Sequence, residues 1–105
     1  MKSYIQVTTT TETKEQAEKV AQYVVREKLA ACVQILGPIA SVYRWKGKVE
    51  KSAEWLCLIK TKESLYDKVE AAIKTLHSYE TPEIVAVPII KGSPEYLNWL
   101  DDVLN

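Results

Sequence analysis

The sequence predicts a mixed α+β fold in a single domain, and three observations lead to that prediction. Segments rich in β-branched and aromatic residues alternate with segments whose apolar residues recur every three or four positions. Two of the extended segments follow one another directly, joined by the tight-turn sequence Lys46-Gly47-Lys48. The length of 105 residues leaves room for one core and not for two, so residues 1–105 are expected to form one domain.

The first two elements are a strand and a helix. Residues 4–9 are mostly β-branched and aromatic, which predicts a strand. The threonines that follow, up to Thr13, are candidate caps for a helix predicted over residues 14–29. The apolar positions of this helix recur at helical spacing, at Ala17, Val20, Ala21 and Val24.

A long hairpin occupies the middle of the chain. Residues 32–36 and 39–45 favour extended structure, and Gly37-Pro38 between them indicates a bend or bulge at a sheet edge, because proline cannot donate a ladder hydrogen bond. Residues 49–61 return as a second long strand. Two such strands extend beyond the body of so small a domain, and their unpaired edges favour pairing with another copy.

The remaining elements are a helix, a strand and a further helix. Ser64 is a candidate cap for the second helix, which leads to a loop at residues 77–82. Residues 84–90 are nearly all apolar, which predicts a strand covered on both faces, while its Pro88 favours an edge position. The helix that begins near Pro94 is apolar around too much of its circumference to face solvent, so it should lie on another surface.

The first six elements follow the order βαββαβ, which is the ferredoxin-like pattern of an antiparallel four-stranded sheet with two helices on one face. Right-handed crossovers place the first and third strands at the centre of the sheet and the fourth at an edge. The other face of the sheet stays open in a single chain, and the C-terminal helix and a partner subunit are its candidate covers. A dimer and a ring of three chains both satisfy this requirement.

Composition and charge argue against several partners and locations. The 14 basic and 14 acidic side chains give a formal net charge of zero, and only two of the basic residues are arginines, so nucleic acid is not an expected partner. No apolar stretch approaches the roughly 18 residues of a membrane span, and we expect no signal peptide. Cys32 and Cys57 lie in apolar runs as expected buried free thiols, which favours the cytoplasm.

The sequence contains none of the familiar nucleophile, phosphate-loop or dinucleotide motifs, so we expect no catalytic residues and no enzymatic activity. His77 is the only histidine, which excludes a multi-histidine metal site within one chain. This side chain is an ordinary loop residue, or a metal ligand that joins cysteine or carboxylate ligands or the same residue of other subunits. The aromatic-basic cluster at residues 43–46 suits stacking on single-stranded nucleic acid, but hairpin stabilisation is favoured because the net charge is zero.

Four charged residues lie within or beside apolar strands: Glu50, Glu54, Lys60 and Glu83. A buried charge must be paired, because an isolated charge in a protein interior is costly. Such a pair can line a cleft, and the alternative is an ordinary solvated strand face. The residues alone do not choose between the two.

Five local patterns occur in one order and spacing and span nearly the whole chain. They are EKLAACV at residues 27–33, SVYRWKGKVE at 41–50, LIKT at 58–61, HSYETPEI at 77–84 and YLNWL at 96–100. In these stretches the chain resembles the CutA family of divalent-cation-tolerance proteins. The resemblance implies a ferredoxin-like fold assembled as a tight homotrimer, similar in architecture to the nitrogen-regulatory PII signal proteins, with hairpin strands that pair between subunits.

The same resemblance implies a role in the tolerance of, or response to, divalent metals, especially copper, without an established enzymatic reaction. Copper binding is implied for some members through a cysteine at the end of the first strand and two adjacent histidines. The corresponding residues here are Thr9, Leu76 and His77, so only His77 is retained as a metal ligand for Cu(II) or another divalent cation.

The resemblance also implies a cleft between subunits. Its candidate lining residues carry aromatic rings or charges, and they are Tyr43, Trp45, Glu54, Lys60, Tyr79 and Glu83. Aromatic walls with a few polar groups suit a small ligand, and the alternative is that these residues hold the trimer together.

Overall fold

The computed structural model describes residues 3–105 and shows an antiparallel four-stranded sheet with helices. Its elements, in chain order, are β1 (Tyr4–Thr11), α1 (Lys14–Arg26), β2 (Cys32–Trp45), β3 (Lys48–Lys62), α2 (Tyr66–Leu76), β4 (Ile84–Ile89) and α3 (Pro94–Leu104). The strand order in the sheet is β2-β3-β1-β4. The ferredoxin-like prediction is therefore confirmed, with β1 and β3 central and β4 at an edge.

Local side-chain caps explain two of the three helix starts. The Thr13 hydroxyl accepts a hydrogen bond from the backbone N–H of Gln16 at 3.1 Å, which fixes the start of α1. Ser93 does the same for α3 by accepting from the N–H of Tyr96 at 3.3 Å, and Pro94 occupies the first turn. Ser64 does not cap α2, because it lies inside a short 3-10 turn that precedes this helix.

The predicted helix over residues 14–29 is too long at its C-terminus. The helix ends at Arg26, and Lys28 adopts a left-handed backbone conformation with φ of 58°. That reversal lets the N–H groups of Leu29 and Ala30 both donate to the carbonyl oxygen of Val24, at 2.8 and 3.1 Å. These bonds satisfy the helix terminus and turn the chain toward β2.

The hydrophobic core lies between one face of the sheet and the helices α1 and α2. Alternate residues of the central strands point into it, and helical residues at three- and four-residue spacing meet them. Its fully buried aliphatic residues are Val7, Ala17, Val20, Val24, Ile59, Val69 and Ile73. Thr9 is also fully buried on this face, and its hydroxyl has no hydrogen-bond partner among the described residues.

The opposite face of the sheet is covered in part by α3. The hydroxyl of Tyr96 lies 3.3 Å from the sulfur of Cys32, and the ammonium of Lys62 lies 3.4 Å from the carboxylate of Asp101. Cys57 is buried as predicted, whereas Cys32 is only half-buried beneath this helix, and both are free thiols. The expectation that α3 lies on another surface is confirmed.

The strand predicted over residues 84–90 ends at Ile89 and is not covered on both faces by its own chain. Val85 and Val87 are each 51% exposed. The reason is geometric, because α1 and α2 pack on one sheet face and α3 reaches only the end of the other face near Cys32 and Lys62. Strand β4 therefore carries more apolar side chains than residues 3–105 bury.

The β2–β3 hairpin extends well beyond the rest of the sheet. Strand β1 ends opposite Trp55, so residues 39–45 and 48–54 pair only with each other. We call residues 39–54 the hairpin extension; it gives the molecule dimensions of 44 × 25 × 22 Å. The predicted irregularity at Gly37-Pro38 is a shift in strand register, and a side chain at position 37 would overlap the Trp55 ring.

Each of the three tryptophans lies in a different part of the molecule. Trp45 is exposed at the tip of the hairpin extension, and Trp99 is exposed on α3 beside the ring of Tyr96. Trp55 packs against the core at the end of β1, with the ammonium of Lys14 at 5.8 Å from its ring centre.

Candidate functional site

A groove lies at the neck of the molecule, where the hairpin extension leaves the sheet. Its volume is about 760 Å³, and its walls come from the end of β1, from β2 and β3, and from the loop at residues 78–83. Because β1 stops at Thr11, this loop lies beside β3 in the space past the end of β1. The groove is therefore a direct consequence of the unequal lengths of β1 and β3.

The floor of the groove is a carboxylate paired with a phenol. Glu54 is only 7% exposed, and its Oε2 accepts a hydrogen bond of 2.9 Å from the hydroxyl of Tyr79. Burial raises the pKa of the Tyr79 hydroxyl above its usual value, and the bond to the Glu54 carboxylate raises it further. Tyr79 therefore stays protonated and acts as a hydrogen-bond donor at all physiological pH values.

Two aromatic residues of β2 form one wall. Tyr43 and Trp45 alternate on the same face of the strand, and the hydroxyl of Ser52 on β3 is within 3.4 Å of the Tyr43 hydroxyl. The ammonium of Lys46 lies 5.7 Å from the centre of the Trp45 ring, a cation–π distance. This contact agrees with the hairpin-stabilising interpretation of the aromatic-basic cluster.

His77 holds the loop that carries Tyr79. Its Nδ1 accepts a hydrogen bond of 3.0 Å from the backbone N–H of Tyr79, and its Nε2 lies 2.6 Å from the carbonyl oxygen of Thr10. A carbonyl can only accept, so this pattern requires the tautomer with the proton on Nε2. The imidazole thus connects the end of β1 to the loop through both of its nitrogens.

Most of the predicted cleft residues meet in this groove. The residues among them that line it are Tyr43, Trp45, Glu54, Tyr79 and Glu83. Lys60 does not, because it lies six residues farther along β3 than Glu54, roughly 20 Å away along the strand, where its ammonium donates to the side chain of Gln34. Reasoning from sequence missed Arg44, Ser78 and Glu80 as lining residues, although all three lie inside the quoted SVYRWKGKVE and HSYETPEI patterns.

The described residues do not assemble a metal site within one chain. Among residues 3–105, no three His, Cys, Asp or Glu side chains lie close enough together to hold a metal ion. A metal at His77 would have to displace one of the two hydrogen bonds that its ring makes. At the other two positions of the implied copper pattern, Thr9 offers a buried hydroxyl and Leu76 an aliphatic side chain, neither of which is a copper ligand.

Comparison with known proteins decides the family. The sequence pattern of the family described as CutA1 divalent ion tolerance protein matches residues 5–103. The chain belongs to this family. It is 45% identical to the divalent-cation tolerance protein CutA of Thermus thermophilus over 91 residues, which cover 87% of this chain and 88% of that protein.

Solved CutA structures have the same fold as this chain. The crystal structure of CutA1 from Oryza sativa matches with a TM-score of 0.95 and 44% identity over 98% of this chain and 94% of that one. The structure of the periplasmic divalent cation tolerance protein CutA from Archaeoglobus fulgidus matches with a TM-score of 0.92 and 38% identity, over the full length of both chains.

Some CutA proteins are much longer than this chain. The chloroplastic CutA protein of Arabidopsis thaliana is 45% identical over 96 residues, which are 91% of this chain but only 53% of that protein. This chain therefore spans about half the length of that plant relative. Within residues 3–105, none of the helices combines the length and the hydropathy that a membrane crossing requires.

Proposed function

We propose that this CutA chain acts as a homotrimer in the cytoplasmic response to divalent cations, by binding rather than by catalysis. The observation that carries the proposal is the hairpin extension, whose apolar side chains Val42, Tyr43, Trp45 and Val49 are left 41–64% exposed by the described part of the chain. Membership of the divalent ion tolerance family supports the metal-related role. Nucleic acid and membranes are not proposed partners.

Both faces of the hairpin extension support the proposed assembly. On one face, Val42 and Val49 are 63% and 64% exposed, and on the other Tyr43 and Trp45 are also exposed. Apolar residues on both sides of a two-stranded ribbon require two separate covering surfaces. A closed ring supplies both, because each ribbon then contacts more than one neighbouring copy.

Light scattering after size-exclusion chromatography tests the assembly. At micromolar concentration we expect the mass of three chains of 11.9 kDa each. A measured mass of one chain would refute the trimer, and a mass of two chains would replace it with a dimer.

Binding of Cu(II) or another divalent cation is the finer part of the proposal. Since residues 3–105 of one chain bring no group of three potential ligands together, we propose that any site at His77 combines residues from more than one subunit. Calorimetric titration with Cu(II) and Zn(II) tests this, with His77→Ala expected to weaken uptake and Ser78→Ala as the matched neighbouring control. Absence of heat in the unmodified protein, or equal uptake by both variants, would count against a site at His77.

A second candidate function is a trimeric scaffold or signalling protein that binds a partner or a small ligand in clefts between subunits, without a metal role. The groove favours this alternative, because its residues are joined by hydrogen bonds and its walls are aromatic. Deletion of the gene distinguishes the two functions. An unchanged sensitivity of the cells to copper would support the scaffold, and increased sensitivity would support the metal response.

A further inference from the structure

We infer that the groove binds an organic cation, an alkylammonium or guanidinium group, with the Glu54 carboxylate as its counter-ion. The inference deepens the ligand-binding role proposed for the groove and rests on it. It names the chemical class of the occupant and the residue that selects it.

The first step is the burial of Glu54 without a counter-charge. Its side chain is 93% buried, yet it makes no ion pair with any basic residue in the described part of the chain. Tyr79 donates to Oε2, while Oε1 accepts no hydrogen bond from the described residues and is not sealed in the interior, so it can be reached from the groove. A buried carboxylate is stable only when a positive group or several donors compensate it.

The second step is the accessibility of the Glu54 Oε1 oxygen from the groove. Glu54 lines the groove, so a ligand in the groove can contact its carboxylate. Tyr79 is the only described side chain that donates to it, and that phenol cannot supply a positive charge. No described basic side chain contacts this carboxylate, so a positive group that enters the groove can compensate it.

The third step is the chemistry of the walls. Glu80 and Glu83 add two further carboxylates to the lining, against the single guanidinium of Arg44. This excess of negative charge disfavours anions and attracts cations. The rings of Tyr43, Trp45 and Tyr79 also line the groove, and aromatic rings attract ammonium and guanidinium groups, as the Lys46 ammonium at 5.7 Å from the Trp45 ring centre shows.

The size of the groove is consistent with a small molecule or a single side chain. Its volume of about 760 Å³ lies within the usual range for sites that bind such ligands. An inorganic divalent ion alone fits less well, because no three potential ligands of the described chain come together around one point. An organic cation needs only one close carboxylate and an aromatic surface.

The same chemistry has two possible sources: a free organic amine, or a lysine or arginine of a second copy of the chain. Two measurements distinguish them. The first is a titration with 2-phenylethylammonium, followed by amide chemical shifts, with the uncharged 2-phenylethanol as the matched probe. The second is the chain mass on dilution, compared between the unmodified protein and Glu54→Gln.

Saturable binding of phenylethylammonium at the groove, with no response to phenylethanol, identifies a free amine. In that case we expect Glu54→Gln to weaken binding about tenfold or more, because a hydrogen bond to a charged group is lost. Glu70→Gln, on the surface of α2 and paired with Lys74, is the matched control and should bind as the unmodified protein does. If Glu54→Gln does not fold, the comparison of phenylethylammonium with phenylethanol on the unmodified protein still shows whether binding requires the positive charge.

Absence of amine binding, combined with dissociation of Glu54→Gln at about tenfold higher concentration than the unmodified protein, identifies a basic side chain of a second copy. The inference is overturned if both probes respond equally, or if neither binds and Glu54→Gln assembles normally. An unmodified protein with the mass of one chain that still binds the amine would refute the proposed trimer and leave this inference standing.

Discussion

The body of the molecule and its hairpin extension differ in how they use apolar residues. In the body, aliphatic side chains of β1, β3, α1 and α2 are fully buried by one another. In residues 39–54, Glu54 is the one buried side chain, while Val42, Tyr43, Trp45 and Val49 are exposed. A single chain therefore accounts for the sequence of the body and not for that of the hairpin extension.

The difference has a simple cause in strand length. Helices α1 and α2 cover the sheet only where all four strands are present, and β1 ends opposite Trp55. Beyond that point the chain is a two-stranded ribbon, which is marginally stable on its own in water. We therefore expect the ribbon to gain contacts from other copies in the proposed trimer, and changes made in the two regions should have different consequences.

The largest effect is expected from charges placed on the hairpin extension. Val42→Glu combined with Val49→Glu puts two carboxylates on one exposed face, and we expect the mass by light scattering to fall from three chains to one because charged groups cannot be buried there unpaired. Lys51→Glu, which pairs with position 42 on the same face, is the control and should assemble. A double variant that keeps the mass of three chains would contradict the burial of this face of the hairpin extension between chains.

A truncation in the body should instead change the stability of the fold. Ile59→Ala removes a fully buried side chain from β3 and should lower the free energy of unfolding by about 2–5 kcal/mol, through lost burial and a cavity. Urea titrations at equal chain concentration measure this. Val25→Ala on the exposed side of α1 is the control, with an expected change within about 0.5 kcal/mol. Equal losses in the two variants would contradict the assignment of the core.

Alkaline pH should also act on the body. Burial raises the pKa of the Cys57 thiol from 9.0 to about 11, so the folded state holds the proton more tightly than the unfolded state. The resulting stability is fully present below pH 9 and is lost as pH rises toward 11, with a slope of up to about 1.4 kcal/mol per pH unit. Urea titrations at several pH values should show a shallower slope for Cys57→Ala, and an identical slope would refute the role of this thiol.

The smallest expected effect comes from two buried threonines of neighbouring central strands. Thr9→Val removes a hydroxyl that lacks a partner in the described structure, and should raise the free energy of unfolding by about 1 kcal/mol. Thr61→Val is the matched change, and it should lower that energy by about 1 kcal/mol, because its hydroxyl donates to the carbonyl of Leu29 at 2.6 Å. The same sign for both variants would contradict the assigned hydrogen bonding.

The order and type of the elements were predictable from local sequence, and the errors lie where tertiary contacts override local preference. The strand predicted over residues 4–9 continues to Thr11, because β3 offers ladder partners for two more residues. Ser64 has a capping side chain, but the chain forms a 3-10 turn there. The local sequence does not predict the left-handed backbone conformation of Lys28, which follows the early end of α1.

The groove was only partly predictable, because it depends on where one strand stops relative to its neighbour. Alternation along β3 puts Glu54 and Lys60 on the same face of the strand. The sequence alone does not show that Glu54 lines the groove whereas Lys60 lies outside it, beside Gln34. The contact of Tyr79 with Glu54 joins a loop to a strand 25 positions away. The resemblance to CutA proteins pointed to both residues, while their burial and hydrogen bond became visible only in three dimensions.

The three tryptophans can serve as intrinsic fluorescence probes, because each lies in a different part of the molecule. One indole lies at the hairpin tip, one at the neck and one on α3. Replacing two tryptophans at a time with tyrosine therefore assigns the remaining tryptophan emission to a single position. Assembly should shift the emission of Trp45 to shorter wavelength, and loss of the core should shift that of Trp55 to longer wavelength. Trp99 would report the docking of α3 separately, so three distinct events can be followed in one chain without an added dye.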